Sequence, residues 1–144
     1  MRIPVNILKV HPDAVIPEYK SAGACAFDFT LIEDATVEPG ELARFRTGLV
    51  ICVPKDHALI IASRSSMPKK TGLIIPHGFG LIEEDYCGPN DELLLQAMNP
   101  TDRPIVVKKG DRLMQGLIVP IARVRFEEVS ALETPTRGGF GSTG

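Results

Sequence analysis

The chain has 144 residues, with 16 Lys and Arg, 18 Asp and Glu, and a formal net charge of −2 at pH 7. This length fits one ordinary domain that buries a core without needing disulfides or a structural metal. A charge this close to zero excludes a general electrostatic attraction to nucleic acid or anionic membranes, so any cations that bind a polyanionic ligand must be clustered locally. We expect neither a nucleic acid nor a membrane as a partner.

The three cysteines, Cys25, Cys52 and Cys87, are far apart in the sequence and form no CxxC pair. Their spacing suggests neither a disulfide framework nor a zinc site. The N-terminal segment has no long apolar run, and the apolar run at residues 116–122 is far shorter than a membrane span. We therefore expect reduced thiols in a cytoplasmic protein with no signal peptide or membrane anchor.

Short aliphatic runs between turn residues predict an all-β fold. The 12 prolines and 13 glycines leave no long window with an amphipathic helical pattern. The runs that predict strands are 49–53, 58–62, 73–75, 93–95, 105–107 and 113–119. Many short strands favour a barrel or a sandwich.

The sequence patterns of two further segments predict a short helix and a strand. Residues 65–70 predict one short helix, with Ser65 or Ser66 as its cap and Pro68 tolerated in its first turn. Residues 122–127 alternate apolar and charged side chains, which predicts a half-buried strand.

The periodicity ends after Val129, and we expect a domain over residues 1–133 followed by a flexible arm over 134–144. Four glycines fall within residues 138–144. Such a tail could wrap a nucleotide, with a guanidinium for phosphates, an aromatic ring for a base, and hydroxyl and backbone N–H groups as donors. The residues concerned are Arg137, Phe140, Gly141, Ser142 and Thr143. The alternative is a C-terminus with no binding role.

Five segments in the same order resemble the motifs of the dUTPase family. They are CAFDF at 25–29, SRSSMPKKTG at 63–72, GLIEEDYCG at 80–88, GDRLMQ at 110–115 and RGGFGSTG at 137–144. The resemblance implies a distorted jelly-roll β-barrel that assembles as a homotrimer. It also implies Mg²⁺-dependent hydrolysis of dUTP to dUMP and pyrophosphate, which supplies dUMP and excludes uracil from DNA.

The resemblance also assigns roles around the triphosphate. Asp28 would hydrogen-bond a water on the Mg²⁺ ion, although an isolated Asp of this kind is more often a turn or edge residue. The residues matched to phosphate contacts are Arg64, Ser65, Ser66 and Gln115. We expect Asp111 and Arg112 to form a structural ion pair.

The third segment carries substrate recognition and catalysis in the family. By resemblance, the backbone of a hairpin that includes Gly80 and Ile82 reads the uracil edge, Tyr86 packs on the deoxyribose, and Glu83 activates the water. The family usually has Asp where this chain has Glu83, and Asn where it has His77, which would contact the base. Because Glu is one methylene longer, the position of the reacting oxygen changes.

Two alternatives stay open from the sequence. A dCTP deaminase shares the resemblance, but it requires a glutamate where this chain has Gln96, and an amide cannot do acid–base work. A non-enzymatic nucleotide sensor on the same scaffold is the second. In the family each site combines the first, second and fourth motifs of one chain with the third motif of another and the fifth of the remaining chain.

Overall fold

The structure is a computed structural model that describes residues 3–139 and 141. Ten strands and one short helix make up its regular elements. They are β1 (Asn6–Lys9), β2 (Phe27–Asp28), β3 (Ala35–Val37), β4 (Leu42–Arg46), β5 (Leu49–Cys52), β6 (His57–Ser63), α1 (Ser66–Thr71), β7 (Gly80–Ile82), β8 (Leu94–Met98), β9 (Ile105–Val107) and β10 (Met114–Pro120). The prediction of an all-β fold with one short helix is confirmed.

Strand β10 lies inside a four-stranded antiparallel sheet with the order β2-β10-β6-β7. Three two-stranded ladders, β1–β5, β3–β9 and β4–β8, complete the pairing. These ladders stay separate, and no closed barrel is found within the described part of the chain.

The core is aliphatic and aromatic, because alternate residues of the strands point inward. The largest fully buried side chains include Phe29, Leu31, Leu49, Leu59, Leu73, Leu95 and Met114. On β8 the inward residues are Leu95 and Ala97, so Gln96 between them faces the opposite side.

Gly116 lets two aromatic rings pack against β10. A Cβ at this position would lie 2.8 Å from both Phe27 Cε2 and Phe29 Cζ. The two rings meet edge to face, with centroids 5.6 Å apart. The glycine therefore makes room for the two rings. Asp28 lies between these phenylalanines in the sequence and is held beside β10.

The predicted strand runs match the structure at most positions, and the run at 105–107 coincides with β9. The run at 73–75 is a correction, since Ile74 forms only an isolated bridge with Met98. Helix α1 begins after Ser65, which occupies the N-cap position without a side-chain capping hydrogen bond. It ends at Gly72, where φ is 85° and the N–H donates to the Pro68 carbonyl at 2.9 Å.

The predicted strand at residues 122–127 was wrong for the single chain. Residues 121–139 contain no helix or strand, and Phe126 is 93% exposed. A strand needs a neighbour for its N–H and C=O groups, and no described segment of this chain pairs with residues 122–127. The alternating pattern therefore has no sheet edge on which to bury its apolar face.

Candidate functional site

The carboxylate of Asp28 holds two guanidinium groups together. Asp28 Oδ1 lies 3.1 Å from Arg64 Nε, and its Oδ2 accepts a hydrogen bond from Arg112 Nη1 at 3.2 Å. Arg64 Nη1 also donates to the Arg112 carbonyl at 2.9 Å. The Asp28 side chain is 13% exposed, whereas both arginines reach solvent. One carboxylate thus fixes two cations and leaves the group with a net positive charge.

These arginines line a cavity of about 330 Å³, which we call the cationic cavity. It lies between the end of β6, helix α1 and the loop before β10. Its lining residues are Arg64, Ser66, Met67, Lys70, Thr71, Gly110, Asp111, Arg112 and Leu113. Three cations against one carboxylate in the lining make it suited to an anion such as a phosphate. The structure thus brings the second and fourth sequence segments together.

Gln115 lies on β10 directly opposite Asp28 on β2 and Ala62 on β6. Its Nε2 donates to the Ser63 carbonyl at 3.2 Å, so the amide nitrogen faces the end of β6. The segments 25–29, 63–72 and 110–115, which only the family resemblance had connected, therefore meet where β2, β10 and β6 lie side by side.

The predicted Asp111–Arg112 ion pair was wrong. Asp111 Oδ2 accepts a hydrogen bond from the Lys108 N–H at 2.8 Å and so closes the turn before β10. Arg112 instead pairs with Asp28. Asp111 is thus engaged by the turn and Arg112 by Asp28, so the two neighbours do not pair with each other.

A second cavity of about 300 Å³ lies beside β7 and β8, and we call it the hairpin cavity. The predicted base-contacting residues His77, Gly80 and Ile82 all line it. The rest of the lining consists of Ile61, Ile75, Leu81, Leu94, Leu95, Gln96 and Met114. Sequence reasoning considered Gln96 only as a missing deaminase acid. Its position on β8, after the hairpin, was the available signal that it lines this cavity.

Three consecutive acids follow β7 and differ in their contacts. Glu83 and Asp85 are exposed, and neither carboxylate has a hydrogen bond or ion pair among the described residues. Glu84 accepts a hydrogen bond from the Asp56 N–H at 2.8 Å and lies 2.7 Å from Arg123 Nη2. The Asp56 N–H, followed by the charge of Arg123, lowers the pKa of the Glu84 carboxyl. Glu84 is therefore held by the fold, while Glu83 is available to a ligand.

Tyr86 is fixed at its ring oxygen and at the following residue. Its hydroxyl donates to the Glu92 carbonyl at 3.1 Å. Cys87 forms a disulfide with Cys52 at the end of β5, with Cα atoms 5.0 Å apart. The expectation of three reduced thiols was therefore wrong, and only Cys25 is free. The two cysteines are 35 positions apart in the sequence, which does not predict that they are close in space. They are close because residues 87–93 lie along β5.

The C-terminal candidates make no described contact with these cavities. Arg137 lies in the exposed segment 121–139, and no hydrogen bond or ion pair is found for it among the described residues. Gly141 is described as an exposed turn residue. Phe140, Ser142 and Thr143 lie outside the described residues.

The three cavities differ in whether they share lining residues within one chain. The cleft of about 290 Å³ that contains Glu83, Glu84 and Asp85 shares Leu81 with the hairpin cavity. The cationic cavity shares no lining residue with either of these two. The cationic and hairpin residues of a single chain therefore line different cavities.

Among the described residues, no group of three or more His, Cys, Asp or Glu side chains is placed to hold a metal ion. No described helix combines the length and the apolar character needed to cross a membrane.

Comparison with known proteins identifies the family. The family model described as dUTPase matches residues 13–144. A deoxyuridine 5'-triphosphate nucleotidohydrolase of Wolinella succinogenes is 34% identical over 145 residues, covering 99% of this chain and 95% of the relative. One of Desulfitobacterium hafniense is 36% identical over 151 residues, covering 99% and 97%.

The fold comparison agrees. A dUTPase variant of Staphylococcus bacteriophage 80alpha, solved with dUpNHpp, superposes with a TM-score of 0.86 at 23% identity, covering 98% of both chains. The class that fold and site define is an all-β nucleotide hydrolase. With the family model matched over nearly the whole chain, this chain belongs to the dUTPase family.

Proposed function

We propose that this chain hydrolyses dUTP to dUMP and pyrophosphate, with Mg²⁺ bound to the triphosphate. The observation that carries the proposal is the Arg64–Asp28–Arg112 cluster, whose two arginines line the cationic cavity of a chain that belongs to the dUTPase family. Two guanidinium groups held by one carboxylate present preorganised N–H donors to a polyanion. Ser66 lines the same cavity, and Ser65 and Gln115 would supply further neutral contacts to phosphate oxygens.

The donor set fits a metal ion that arrives with the nucleotide. Asp28 is the acidic side chain held between the two arginines, and Mg²⁺ in nucleotide sites takes many of its ligands from phosphate oxygens and water. Each Asp28 oxygen retains a lone pair beyond its arginine contact, so the carboxylate can accept a hydrogen bond from a metal-bound water. When bound, the ion would neutralise phosphate charge.

Glu83 is the proposed general base. Its carboxylate accepts the proton of the water as the water oxygen bonds to the α-phosphorus, the α–β bridging bond breaks, and pyrophosphate leaves. The absence of a described partner for Glu83 supports this role, because Glu84 next to it is already bound to Asp56 and Arg123. The longer Glu side chain must place its oxygen where the family's Asp would place it.

The hairpin supplies substrate selection. His77, Gly80 and Ile82 would contact the base in the hairpin cavity, and the Tyr86 ring would pack on the deoxyribose. The hydrogen bond from the Tyr86 hydroxyl to Glu92 restrains the ring, so that a ribose 2′-hydroxyl would have to displace it. Good turnover of dUTP and poor turnover of UTP are the expected result.

The active form is proposed to be a homotrimer with shared sites. This proposal is supported because, within one chain, the cationic cavity shares no lining residue with the cleft that contains Glu83, Glu84 and Asp85, and because segment 121–139 is exposed. The domain limits 1–133 and 134–144 enter as part of the same proposal, with Arg137, Phe140, Gly141, Ser142 and Thr143 closing over the nucleotide. A cytoplasmic location stays a prediction.

Product analysis tests the activity. The purified protein is incubated with each deoxynucleoside triphosphate, and with UTP, in the presence of Mg²⁺, and the products are separated. Release of dUMP and pyrophosphate from dUTP, abolished by a chelator, is expected. Release of ammonia from dCTP would instead identify a deaminase, and no product would identify a binding protein.

Subunit mixing tests the shared site. One parent carries Glu83→Gln with an intact tail, and the other carries Glu83 but ends before Arg137. Each parent alone should be nearly inactive. In any mixed ring, one junction combines an intact base with an intact tail, so roughly one site in three should recover. If base and tail belong to the same chain, mixtures with proven subunit exchange will stay inactive.

A further inference from the structure

The hairpin cavity has two polar side chains, His77 and Gln96, in an otherwise aliphatic and glycine lining. A cavity of this kind fixes the orientation of a ligand through its few polar groups. His77 can donate or accept, because a neutral imidazole has one nitrogen of each kind. Gln96 is therefore the side chain whose hydrogen-bonding direction decides what the cavity selects.

The Gln96 amide is oriented by Arg44. The two residues are directly opposite in the β4–β8 ladder, and Arg44 Nε donates to Gln96 Oε1 at 3.3 Å. A guanidinium has only donors, so an amide turned the other way would place its NH₂ against another N–H. The oxygen consequently faces Arg44, and Nε2 becomes the available end.

The Nε2 group has donor capacity that the described chain does not use. No hydrogen bond from Gln96 Nε2 to any residue of the described ranges is found, and Gln96 is only partly exposed. Partly buried N–H groups favour a ligand that brings an acceptor. Uracil and cytosine share a carbonyl acceptor at C2, but at C4 uracil has a carbonyl acceptor whereas cytosine has an amino donor.

We propose that Gln96, oriented by Arg44, donates a hydrogen bond to the C4 carbonyl of the pyrimidine base and thereby selects uracil over cytosine. This inference rests on the proposed function, because it places the base in the hairpin cavity. Gln96 would be a specificity-determining residue, since it acts on the base and not on the reacting phosphate. Cytosine would bring its amino group against the Nε2 donor, leaving both groups without an acceptor.

Gln96→Leu tests the proposal, with Met98→Leu as the matched control on the same face of β8. We expect Gln96→Leu to lower kcat/KM for dUTP roughly 10-fold, mainly through KM, and to lower the dUTP-to-dCTP preference by a similar factor. Met98→Leu should keep the wild-type preference, and thermal unfolding should show that both variants are folded. An unchanged preference in Gln96→Leu overturns the proposal.

Arg44→Leu tests the orientation separately. Without the guanidinium the amide can turn its oxygen toward the base, so the preference should fall although Gln96 is present. A wild-type preference in Arg44→Leu would refute the orienting role.

Binding of non-hydrolysable imido analogues of dUTP and dCTP separates this inference from the proposed activity. If the wild-type protein binds the dUTP analogue selectively but hydrolyses nothing, the proposed catalysis fails and the role of Gln96 can still be measured. If hydrolysis is normal and Gln96→Leu binds both analogues as the wild type does, only the inference fails.

Discussion

Arg46 and Glu92 form an ion pair that joins the end of β4 to the segment behind Tyr86. Arg46 Nη2 lies 2.9 Å from Glu92 Oε2, and Arg46 Nε donates to both carboxylate oxygens. The same carboxylate accepts from the Gly48 N–H at 2.8 Å, and the Glu92 side chain is 17% exposed. Glu92 therefore holds the β4–β5 turn through its carboxylate and restrains Tyr86 through its backbone carbonyl.

Glu92→Gln should loosen the Tyr86 ring. The amide keeps the shape of the side chain but loses the charge that binds Arg46, and we expect a several-fold increase in KM for dUTP with a smaller change in kcat. Steady-state kinetics measures both. Glu18→Gln removes an exposed carboxylate that pairs with Lys20 at 3.7 Å, and this control should leave KM unchanged.

Glu83→Gln should remove hydrolysis and keep binding. The amide cannot accept the proton of the water, so a fall in kcat on the order of 10²-fold or more is expected, with dUTP affinity near that of the wild type. Single-turnover kinetics and analogue binding separate the two effects. Glu83→Asp should retain or raise activity. Near-normal kcat in Glu83→Gln would transfer the role to Asp85.

Reduction of the Cys52–Cys87 disulfide should destabilise the protein. A crosslink between residues 35 positions apart restricts the unfolded chain, and its loss is expected to cost about 2–4 kcal/mol. Urea unfolding with and without a dithiol reductant measures the difference. Cys25→Ser should keep the sensitivity to reductant, whereas Cys52→Ser should abolish it. Free Cys52 and Cys87 in the unreduced protein, detected by alkylation, would contradict the disulfide.

Gly116→Ala should destabilise the fold through overpacking. The new methyl group would lie within 2.9 Å of atoms of both Phe27 and Phe29, which are buried and cannot move freely. The expected loss is about 1–3 kcal/mol. At Gly23 a Cβ meets no atom within 4 Å, so Gly23→Ala is the control and should be close to neutral in the same unfolding experiment.

The contribution of Glu84 to stability should depend on pH. Its pKa in the folded state is below the ordinary value of 4.5, because the Asp56 N–H and Arg123 favour the charged carboxylate. Its stabilising effect is therefore present above pH 4.5 and is lost as the pH falls through the lower folded-state pKa. The difference in urea midpoint between the wild type and Glu84→Gln should be largest at neutral pH and should vanish in strong acid. A constant difference would assign the effect to packing.

Sequence reasoning succeeded where local chemistry determines the structure. Proline and glycine spacing predicted short strands, and the short helix predicted at residues 65–70 lies within one residue of α1 at each end. Resemblance placed Arg64, Asp28 and Gln115 in one site, and the structure brings them together across β2, β6 and β10.

Sequence reasoning failed where contacts between residues far apart in the sequence determine the structure. The Cys52–Cys87 disulfide, the Asp28–Arg112 ion pair and the position of Gln96 all depend on strand register, which a single sequence does not contain. Apolar and charged residues do alternate at 122–127, but a strand there needs a neighbouring strand, and no described segment of the chain supplies one.

The central position of β10 has a consequence for synthesis of the protein. β10 pairs with β2 and β6, so the largest sheet joins segments near both ends of the described chain. While the polypeptide emerges from the ribosome, β6 has no partner on that side until residues 114–120 have been made, and β2 has none at all. Such distant pairings close late and slowly. Nascent chains that stop before β10 should therefore expose Phe27 and Phe29, and they will need chaperones or be degraded.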